Sequence, residues 1–334
     1  MKPRLKPIAE QVIVITGASS GIGLVTARTA AARGARVVLV ARSGDELGAI
    51  VRDINNAGGR ADYKAADVAD PGAMAAVAAF AVERFGRVDT WINNAGVAIY
   101  AKLLDTPEDE HRRLFDTDYF GVVNGCRAAI PVLRAGGALI TVGSIASDMP
   151  SPVMGAYSAA KHAVKAYIET LRMELADQGL PIAVTLVKPA GIDTPIGQHA
   201  ANHAGGEAQI PPPAYDPDLV AQAILASAEH ARREITVGGA GRAQVLFATH
   251  FPALFEILAP KAAKGFTDAA KRQPRPSNLF EGVRAGRERS GEHPARLRHS
   301  LYTMAAEHPT ATAIGFGSIA VALGWLLNRK GRKA

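Results

Sequence analysis

The chain contains 334 residues, of which 48% are hydrophobic, so it can bury one core of ordinary size and still leave an appended segment. Residues 256–334 carry 14 Lys and Arg against 6 Asp and Glu, while residues 1–255 carry 24 against 25; the formal charge of +7 therefore lies in the tail, and a basic nucleic-acid groove in the main part is not supported. The single cysteine, Cys126, excludes an intramolecular disulfide and a cysteine metal cluster, and we expect a buried, inert thiol.

The first residues, MKPRLKPIAEQVIVITG, combine basic side chains with a short apolar run. This run is far shorter than the hydrophobic region of a signal peptide, and it leads directly into a glycine. It therefore predicts a buried strand in a protein that is not secreted, with its main domain in the cytoplasm.

Short runs rich in β-branched residues alternate with segments of helical length. The predicted strands are Val12–Thr16, Arg36–Ala41, Ala61–Ala66, Val88–Ile92, Ala138–Val142, Ile182–Val187 and Glu234–Val237, and the first predicted helices are 21–33, 43–57 and 71–85. Strands that are apolar on both faces and separated by helices indicate a parallel sheet covered on both sides. The prediction is an α/β fold, a doubly wound Rossmann sheet of about seven strands that binds ligands beyond the strand carboxyl ends.

Three glycines, Gly17, Gly21 and Gly23, lie between the first predicted strand and the first helix. Glycine permits a tight turn, lets backbone N–H groups approach a phosphate and allows close packing of helix on strand, while the helix N-terminus supplies positive potential. Because strand, turn and helix coincide, the stretch predicts a nucleotide-binding turn. An ordinary tight turn is the alternative.

The spacing TGxxxGxG at residues 16–23 resembles that of the short-chain dehydrogenase/reductase family. NNAG at 93–96, Ser144 after the fifth strand and YSAAK at 157–161 extend the resemblance. Several motifs in the right order are far more specific than any one of them. The resemblance implies a nicotinamide dinucleotide cofactor, a small carbonyl or alcohol substrate, and a homodimer or homotetramer formed through the helices that carry residues 118 and 157.

The resemblance also implies a set of cofactor-binding residues. They are Gly17, Ser19, Ser20, Gly21, Ile22, Gly23, Arg42, Asp67, Val68, Asn94, Ala95, Gly96, Tyr157, Lys161, Pro189, Ile192 and Thr194. Asp67 and Val68 match an adenine contact, although Asp67 also fits a helix cap or a turn. Residues 94–96 match the segment that steadies the central sheet beside the cofactor, although a turn without catalytic meaning would look the same.

The end of the second strand bears on the choice between NAD(H) and NADP(H). A dinucleotide-binding unit places an acid there to accept hydrogen bonds from the ribose 2′-hydroxyl. Here Ala41 stands where NAD-using members of the family carry that acid, and Arg42 follows it. A guanidinium suits a 2′-phosphate, so the sequence predicts NADP(H) as the preferred cofactor, with NAD(H) not excluded. A solvated surface arginine is the alternative.

Tyr157 and Lys161 are four residues apart, so they share one face of a helix. An adjacent ammonium stabilises a phenolate, and so does a positive nicotinamide ring, and we expect the tyrosine pKa to fall from about 10 toward the working range. Such a pair is common by chance, but with Ser144 upstream it matches the catalytic arrangement of the family. The resemblance implies that Tyr157 exchanges a proton with the substrate oxygen, that Ser144 hydrogen-bonds this oxygen, and that Lys161 holds the ribose.

Two positions depart from the family pattern. The family usually has an asparagine in the fifth helix that helps to hold the lysine through water, and Asp118 stands there, so this relay would carry an extra charge. Asn124 is not an obvious substitute. In KPAGIDTP the usual Pro-Gly is Pro189 followed by Ala190, while Ile192 and Thr194 match the segment that contacts the nicotinamide carboxamide.

Residues 195–215 are small, polar and rich in proline, and the family has a mobile lid over the substrate in this region. His199 and His203 have a spacing that metal ligands can use. A third ligand is not apparent, so solvated histidines and no metal are expected.

After residue 255 the alternation of strands and helices ends. Residues 256–309 form a basic segment with Pro and Gly, which predicts an extended or disordered connection or one that lies across the domain. Residues 310–327 are uncharged and just long enough to cross a bilayer, and residues 328–334 are a basic tail. We expect a membrane anchor here; a buried helix that closes a soluble oligomer is the alternative.

The sequence as a whole predicts an NADP(H)-dependent carbonyl reductase or alcohol dehydrogenase with Ser144, Asp118, Tyr157 and Lys161 at its centre. An anchor would favour a lipophilic substrate. A cofactor-binding scaffold or redox sensor without turnover is the second hypothesis, because of Asp118 and the long appendage. An epimerase or dehydratase on the related extended fold is disfavoured by the glycine spacing.

Overall fold

A central sheet of seven parallel strands organises the computed structural model, which describes residues 3–272, 277–282 and 286–307. The strands are β1 (Val12–Thr16), β2 (Arg36–Ala41), β3 (Arg60–Ala65), β4 (Thr90–Asn93), β5 (Gly137–Val142), β6 (Ile182–Pro189) and β7 (Glu234–Val237). Their order across the sheet is β7-β6-β5-β4-β1-β2-β3. The order reverses between β1 and β4, which opens a crevice at the carboxyl ends of these strands. The predicted Rossmann fold is confirmed.

Helices cover both faces of this sheet. They are α1 (Gly21–Ala32), α2 (Gly44–Asn56), α3 (Pro71–Phe85), α4 (Glu108–Phe115), α5 (Gly121–Leu133), α6 (Gly155–Asp177), α7 (Ile196–His199), α8 (Pro217–Glu229), α9 (Gly239–His250), α10 (Pro252–Ala262) and α11 (Leu301–Glu307). One apolar core lies between the sheet and α1, α2 and α8, and a second lies between the sheet and α3, α5 and α6. Two cores explain why the central strands are apolar on both faces.

Local signals fix where the helices begin and end. The carboxylate of Asp70 accepts hydrogen bonds from the N–H groups of Gly72 and Ala73, and Pro71 occupies the first helical position of α3. Gly86 ends the same helix in the left-handed conformation. These are the cap residues that helix termini favour, so the third predicted helix has the correct bounds.

The predicted strands match the observed ones to within two residues at each end. β1, β2 and β7 have the predicted bounds, while β3 begins one residue earlier because Arg60 pairs with Arg36. β4 begins at Thr90, not at residue 88. Asp89 precedes β4 and ties it to the start of the chain, because its carboxylate accepts hydrogen bonds from the backbone N–H of Val12 and from the ammonium of Lys6.

The C-terminal extension lies across the domain in the part that the structure describes. Helix α10 runs across residue 255, where the sequence predicts the catalytic domain to end. Residues 278–282 and 286–290, which we call the C-terminal strap, lie along the crevice side of α1 and α2. No helix within residues 3–272, 277–282 and 286–307 is long and apolar enough to cross a membrane. The apolar run 310–327 lies outside the described residues.

Candidate active site

The glycine turn after β1 forms a close-fitting cradle. Gly17 has a φ of +66°, in the left-handed region that favours glycine. A Cβ atom on Gly23 would lie 2.2 Å from the carbonyl oxygen of Gly17. Only glycine at position 23 lets α1 begin this close to β1, with its N-terminal N–H groups toward the crevice. A dinucleotide pyrophosphate fits such a cradle.

Residues 94–96 hold this turn from the β4 side. The backbone N–H groups of Asn94 and Ala95 donate to the hydroxyl of Thr16 over 2.9 and 3.1 Å. The Asn94 amide donates to the carbonyl oxygens of Thr16 and Gly17. These bonds join the two strands at the point where the sheet order reverses.

Three reactive side chains meet beside this turn. Ser144 follows β5 and caps a short 3₁₀ turn, Ile145–Ser147. Tyr157 and Lys161 lie on one face of the first turns of α6. Ser144 is near enough to the Tyr157 hydroxyl to lower its pKa, and the Lys161 ammonium lies 5.3 Å from the centre of the Tyr157 ring.

Asp118 lies directly behind Lys161. Residues 116–120 form a π-helical turn between α4 and α5, a widening that is frequent at functional sites. The Asp118 carboxylate is fully buried; one oxygen accepts from the N–H of Val97 at 2.8 Å and the other lies 3.1 Å from the Lys161 ammonium. The side chain of Lys161 is only 4% exposed. The pair is therefore a buried, direct ion pair.

The electrostatics at Tyr157 differ from the sequence expectation. Burial raises the pKa of Tyr157 by more than the positive charge of Lys161 lowers it, and the negative charge of Asp118 raises it further. Lys161 therefore shifts the tyrosine pKa in the expected direction, but the net shift from the protein residues is upward. Burial lowers the pKa of Lys161, but the charge of Asp118, the nearby Tyr157 and the contact with the Asp118 carboxylate together outweigh it, and the pKa is raised.

One cavity of about 680 Å³ connects the glycine turn with the hydroxyls of Ser144 and Tyr157. The predicted cofactor-binding residues line this cavity, with the exception of Gly23, which packs beneath the turn. The far end of the cavity is apolar. Its lining there includes Met149, Met154, Phe247, Phe255, Leu258 and Phe266.

At the other end of the cavity the half-buried Arg42 contacts backbone. Its guanidinium donates to the carbonyl oxygens of Asn278, Leu279 and Glu281 in the strap. Burial lowers the pKa of Arg42, and the nearby Asp67 offsets part of this effect. The alternative of a solvated surface arginine does not describe this side chain.

Asp67 makes a turn contact and an ion pair. One oxygen accepts from the N–H of Ala69 at 3.0 Å, and the other lies 2.5 Å from the guanidinium of Arg113 on α4. Burial opposes ionisation of Asp67, but the Ala69 N–H and Arg113 outweigh it and hold the carboxyl pKa below its usual range. The side-chain amide of Asn124 donates hydrogen bonds to the carbonyl oxygens of Val68 and Ala69, away from Lys161.

The segment after β6 lines the cavity opposite the glycine turn. Ala190 continues the β6 backbone and donates to the carbonyl of Val237. A Cβ atom on Gly21 would lie 3.3 Å from the Cβ of Thr194, so this segment touches the start of α1. Pro189 and Ile192 lie on the same wall.

Of the two histidines of the lid region, His199 is buried, which corrects the expectation for it, whereas His203 is exposed as expected. His199 is 5% exposed and lines the cavity, and the ring of His203 lies 2.8 Å from the carboxylate of Glu110. Within the described part of the chain no three His, Cys, Asp or Glu side chains form a metal-binding group. Cys126 is buried as expected, and burial raises its pKa to about 12.

Comparison with known proteins gives the family of this fold and site. A family model described as short chain dehydrogenase matches residues 11–204. The chain is 37% identical over 318 residues to "Uncharacterized oxidoreductase YxnA" of Bacillus subtilis, which covers 93% of this chain and 89% of that protein. The chain belongs to the short-chain dehydrogenase/reductase family.

Solved structures of this family extend the likeness to three dimensions. A short chain dehydrogenase/reductase from Burkholderia phymatum in complex with NAD has a TM-score of 0.66 and 27% identity, and the match covers 75% of this chain and 96% of that chain. An alcohol dehydrogenase from the archaeon Thermococcus sibiricus, complexed with 5-hydroxy-NADP, has a TM-score of 0.60 and 28% identity over 68% of this chain and 95% of that chain.

Sequence reasoning missed three residues of this short-chain dehydrogenase/reductase site, two of them in the strap. Asn278 and Gly282 of the strap line the cavity, and Arg113 pairs with Asp67. The strap contacts Arg42 through backbone carbonyls, which every residue type provides. No side-chain pattern in the sequence could have indicated these contacts between the strap and Arg42.

Proposed function

We propose that this protein is an NADP(H)-dependent oxidoreductase that interconverts a carbonyl and an alcohol. The observation that carries the proposal is the single cavity that joins the glycine cradle to the hydroxyls of Ser144 and Tyr157. A bound nicotinamide would supply or accept the hydride. The protein supplies position, hydrogen bonds and a proton.

Each polar side chain has a separate role in this proposal. Tyr157 transfers the proton to or from the substrate oxygen, and Ser144 hydrogen-bonds that oxygen and orients the phenol. Lys161 holds the cofactor ribose and adds positive potential beside the phenol. Asp118 does not line the cavity, so it acts through Lys161 as a positioning residue.

The charge pattern favours carbonyl reduction. A phenol with a raised pKa is protonated at neutral pH and can serve as an acid without prior activation. Oxidation of an alcohol would instead require the phenolate, which burial and Asp118 disfavour. We therefore propose reduction as the favoured direction near neutral pH.

Asp118→Asn should shift the alkaline limb of the reduction rate to lower pH. The negative charge of Asp118 raises the pKa of Tyr157, so its removal lets Lys161 lower that pKa and the phenol loses its proton earlier. The measurement is kcat/KM for carbonyl reduction against pH. Asp116→Asn, an exposed carboxylate in the same turn, is the matched control and should leave the limb in place. A shift to higher pH would contradict this charge coupling.

The apolar end of the cavity supports a lipophilic substrate. Aromatic and aliphatic side chains from α9 and α10 line it, and Phe266 packs edge-on against Tyr100 there. Attachment to a membrane through residues 310–327 would bring the cavity near lipophilic carbonyl compounds. In this proposal residues 1–255 are the catalytic domain, 256–309 an extension, 310–327 the anchor and 328–334 a basic tail.

A homodimer or homotetramer is part of the proposal. The large apolar side chains of Phe120, two residues after Asp118, and of Met173 on α6 are 50% and 64% exposed. Helices that carry such residues could pair with the same helices of a second copy.

The test of the proposed function is a turnover screen of the full chain with NADPH. Lipophilic aldehydes, ketones and quinones are supplied, and loss of NADPH absorbance is followed. We expect turnover with at least one compound that fills the apolar end. NADPH binding without turnover on the whole panel would instead favour the scaffold or sensor hypothesis.

Arg42→Ala should change the cofactor preference. The guanidinium is the cation at the end of β2, and loss of charge-assisted hydrogen bonds to a 2′-phosphate should raise the Kd of NADP(H) about tenfold or more. The Kd of NAD(H) should change little. Titration calorimetry with both cofactors measures this, with Arg52→Ala, an exposed arginine on α2, as the control. An equal effect on both cofactors would argue against 2′-phosphate recognition.

A further inference from the structure

The guanidinium of Arg42 is surrounded by carbonyl oxygens of the strap. Its Nη1 donates to Leu279 at 3.0 Å, and its Nη2 donates to both Asn278 and Glu281. Both N–H bonds of Nη2 are therefore used. Either edge of a guanidinium that can bind an anion in bidentate fashion includes Nη2, so a phosphate could bind there only after these carbonyls move away.

A second contact lies at the start of α1. The N–H of Gly21, the first residue of the helix, donates to the carbonyl oxygen of Arg287 at 2.8 Å. The N-terminal N–H groups of a helix are suited to phosphate oxygens. The strap thus supplies backbone oxygens to two donor groups that would otherwise face the phosphates of a dinucleotide.

Specific contacts hold the strap in this position. The side chain of Leu279 is fully buried in an apolar cluster with Val97 and Leu114. Ser290 donates to the buried carboxylate of Asp193, and the guanidinium of Arg289 lies 2.8 Å from Asp216. Both of these carboxylates belong to the catalytic domain. The strap is therefore anchored on either side of Arg42 and the glycine turn.

From these contacts we propose that the strap determines cofactor specificity by competing with the 2′-phosphate of NADP(H) for Arg42. The inference rests on the proposed function and assigns the competition to residues 278–282 and 286–290. NADP(H) binds when the strap leaves the guanidinium, whereas NAD(H), which lacks the 2′-phosphate, does not need Arg42. The strap therefore reduces the preference for NADP(H) that Arg42 alone would give.

Gly286→Ala is a precise way to displace the strap. The φ of Gly286 lies outside the left-handed region, so its backbone suits any residue, but a Cβ atom would lie 1.7 Å from the carbonyl oxygen of Ser19. That oxygen belongs to the glycine turn, so the strap must move. Gly265→Ala is the matched control, because its Cβ would meet only Pro211 at an ordinary 3.9 Å. Leu279→Ala releases the strap at its other anchor.

The experiment measures the Kd of NADP⁺ and of NAD⁺ for the full chain and these variants, with hydrogen exchange of residues 278–290 as the readout of strap release. We expect Gly286→Ala and Leu279→Ala to lower the Kd of NADP⁺ about tenfold and that of NAD⁺ by much less, since only the former uses Arg42. Gly265→Ala should match the wild type.

The outcomes separate this inference from the proposed function. If wild type and variants bind both cofactors with an unchanged ratio of Kd values, or if strap release weakens NADP⁺, the competition is overturned while the enzyme proposal stands. If folded protein binds neither cofactor with or without strap release, the proposed function itself fails. Faster exchange of the strap together with a selective gain for NADP⁺ supports the inference.

Discussion

Tyr157→Phe should lower kcat for carbonyl reduction by about 10³-fold, within the range that a positioned general acid contributes. The substitution removes one oxygen, the only group on this side chain that can transfer a proton. The Kd of NADP(H) should change little, because the glycine cradle and Lys161 are untouched. Steady-state kinetics and cofactor titration on one preparation measure both quantities.

Tyr167→Phe is the matched control for this prediction. Tyr167 lies on the same helix and packs edge-on against Tyr119, with ring centres 6.1 Å apart. It does not line the cavity. If Tyr157→Phe keeps most of the wild-type rate, or if both variants lose activity equally, Tyr157 is not the proton donor.

The sheet could be predicted from the sequence because its signal is local. Two cores cover the central strands, so nearly every residue of β1 and β2 must be apolar, and the bounds of these strands follow from composition. β3 lies at the edge of the sheet and is largely exposed, with Tyr63 36% exposed. Because few residues of β3 are buried, few of them need to be apolar, and the sequence marks the ends of this strand less sharply.

Regions without a buried face could not be predicted in the same way. Helix α10 and its N-cap have apolar side chains on the side that faces solvent: Phe251, Leu254 and Ile257 are exposed. The solvent-facing side of this helix is therefore not polar. The apolar and polar residues of such a helix do not follow the pattern of an amphipathic surface helix. The prediction consequently placed only an irregular extension after residue 255.

The site divides along the same line. The glycine turn, Ser144, Tyr157 and Lys161 have fixed spacing on regular elements, so their convergence could be expected from the sequence. The raised pKa of Tyr157 could not be predicted from the sequence, because it depends on how far folding buries this side chain and on the nearby charge of Asp118. A motif shows which residues neighbour a group along the chain, but not how far folding removes that group from water.

Asp118→Ala should lower the free energy of unfolding at pH 7 by about 3–5 kcal/mol, the cost of leaving one partner of a buried pair without the other. Asp118 is fully buried and Lys161 is 4% exposed, so water does not replace the carboxylate. The N–H of Val97 also loses its acceptor. Asp118→Asn keeps one acceptor oxygen but also leaves the ammonium without a counter-charge, so it should recover only part of this loss. Urea unfolding of the three proteins measures the difference.

The pH dependence and a double variant identify the charge as the cause. Without Asp118, burial dominates at Lys161 and its pKa falls below the unfolded value, so the unfolded state binds more protons and stability rises with pH toward about 10. The deficit of Asp118→Ala should therefore shrink as pH rises above 7. Adding Lys161→Met removes the unpaired ammonium, so the double variant should be more stable than Asp118→Ala. If the double variant is less stable and the deficit is independent of pH, the loss comes from packing alone and Asp118 is not the counter-charge of Lys161.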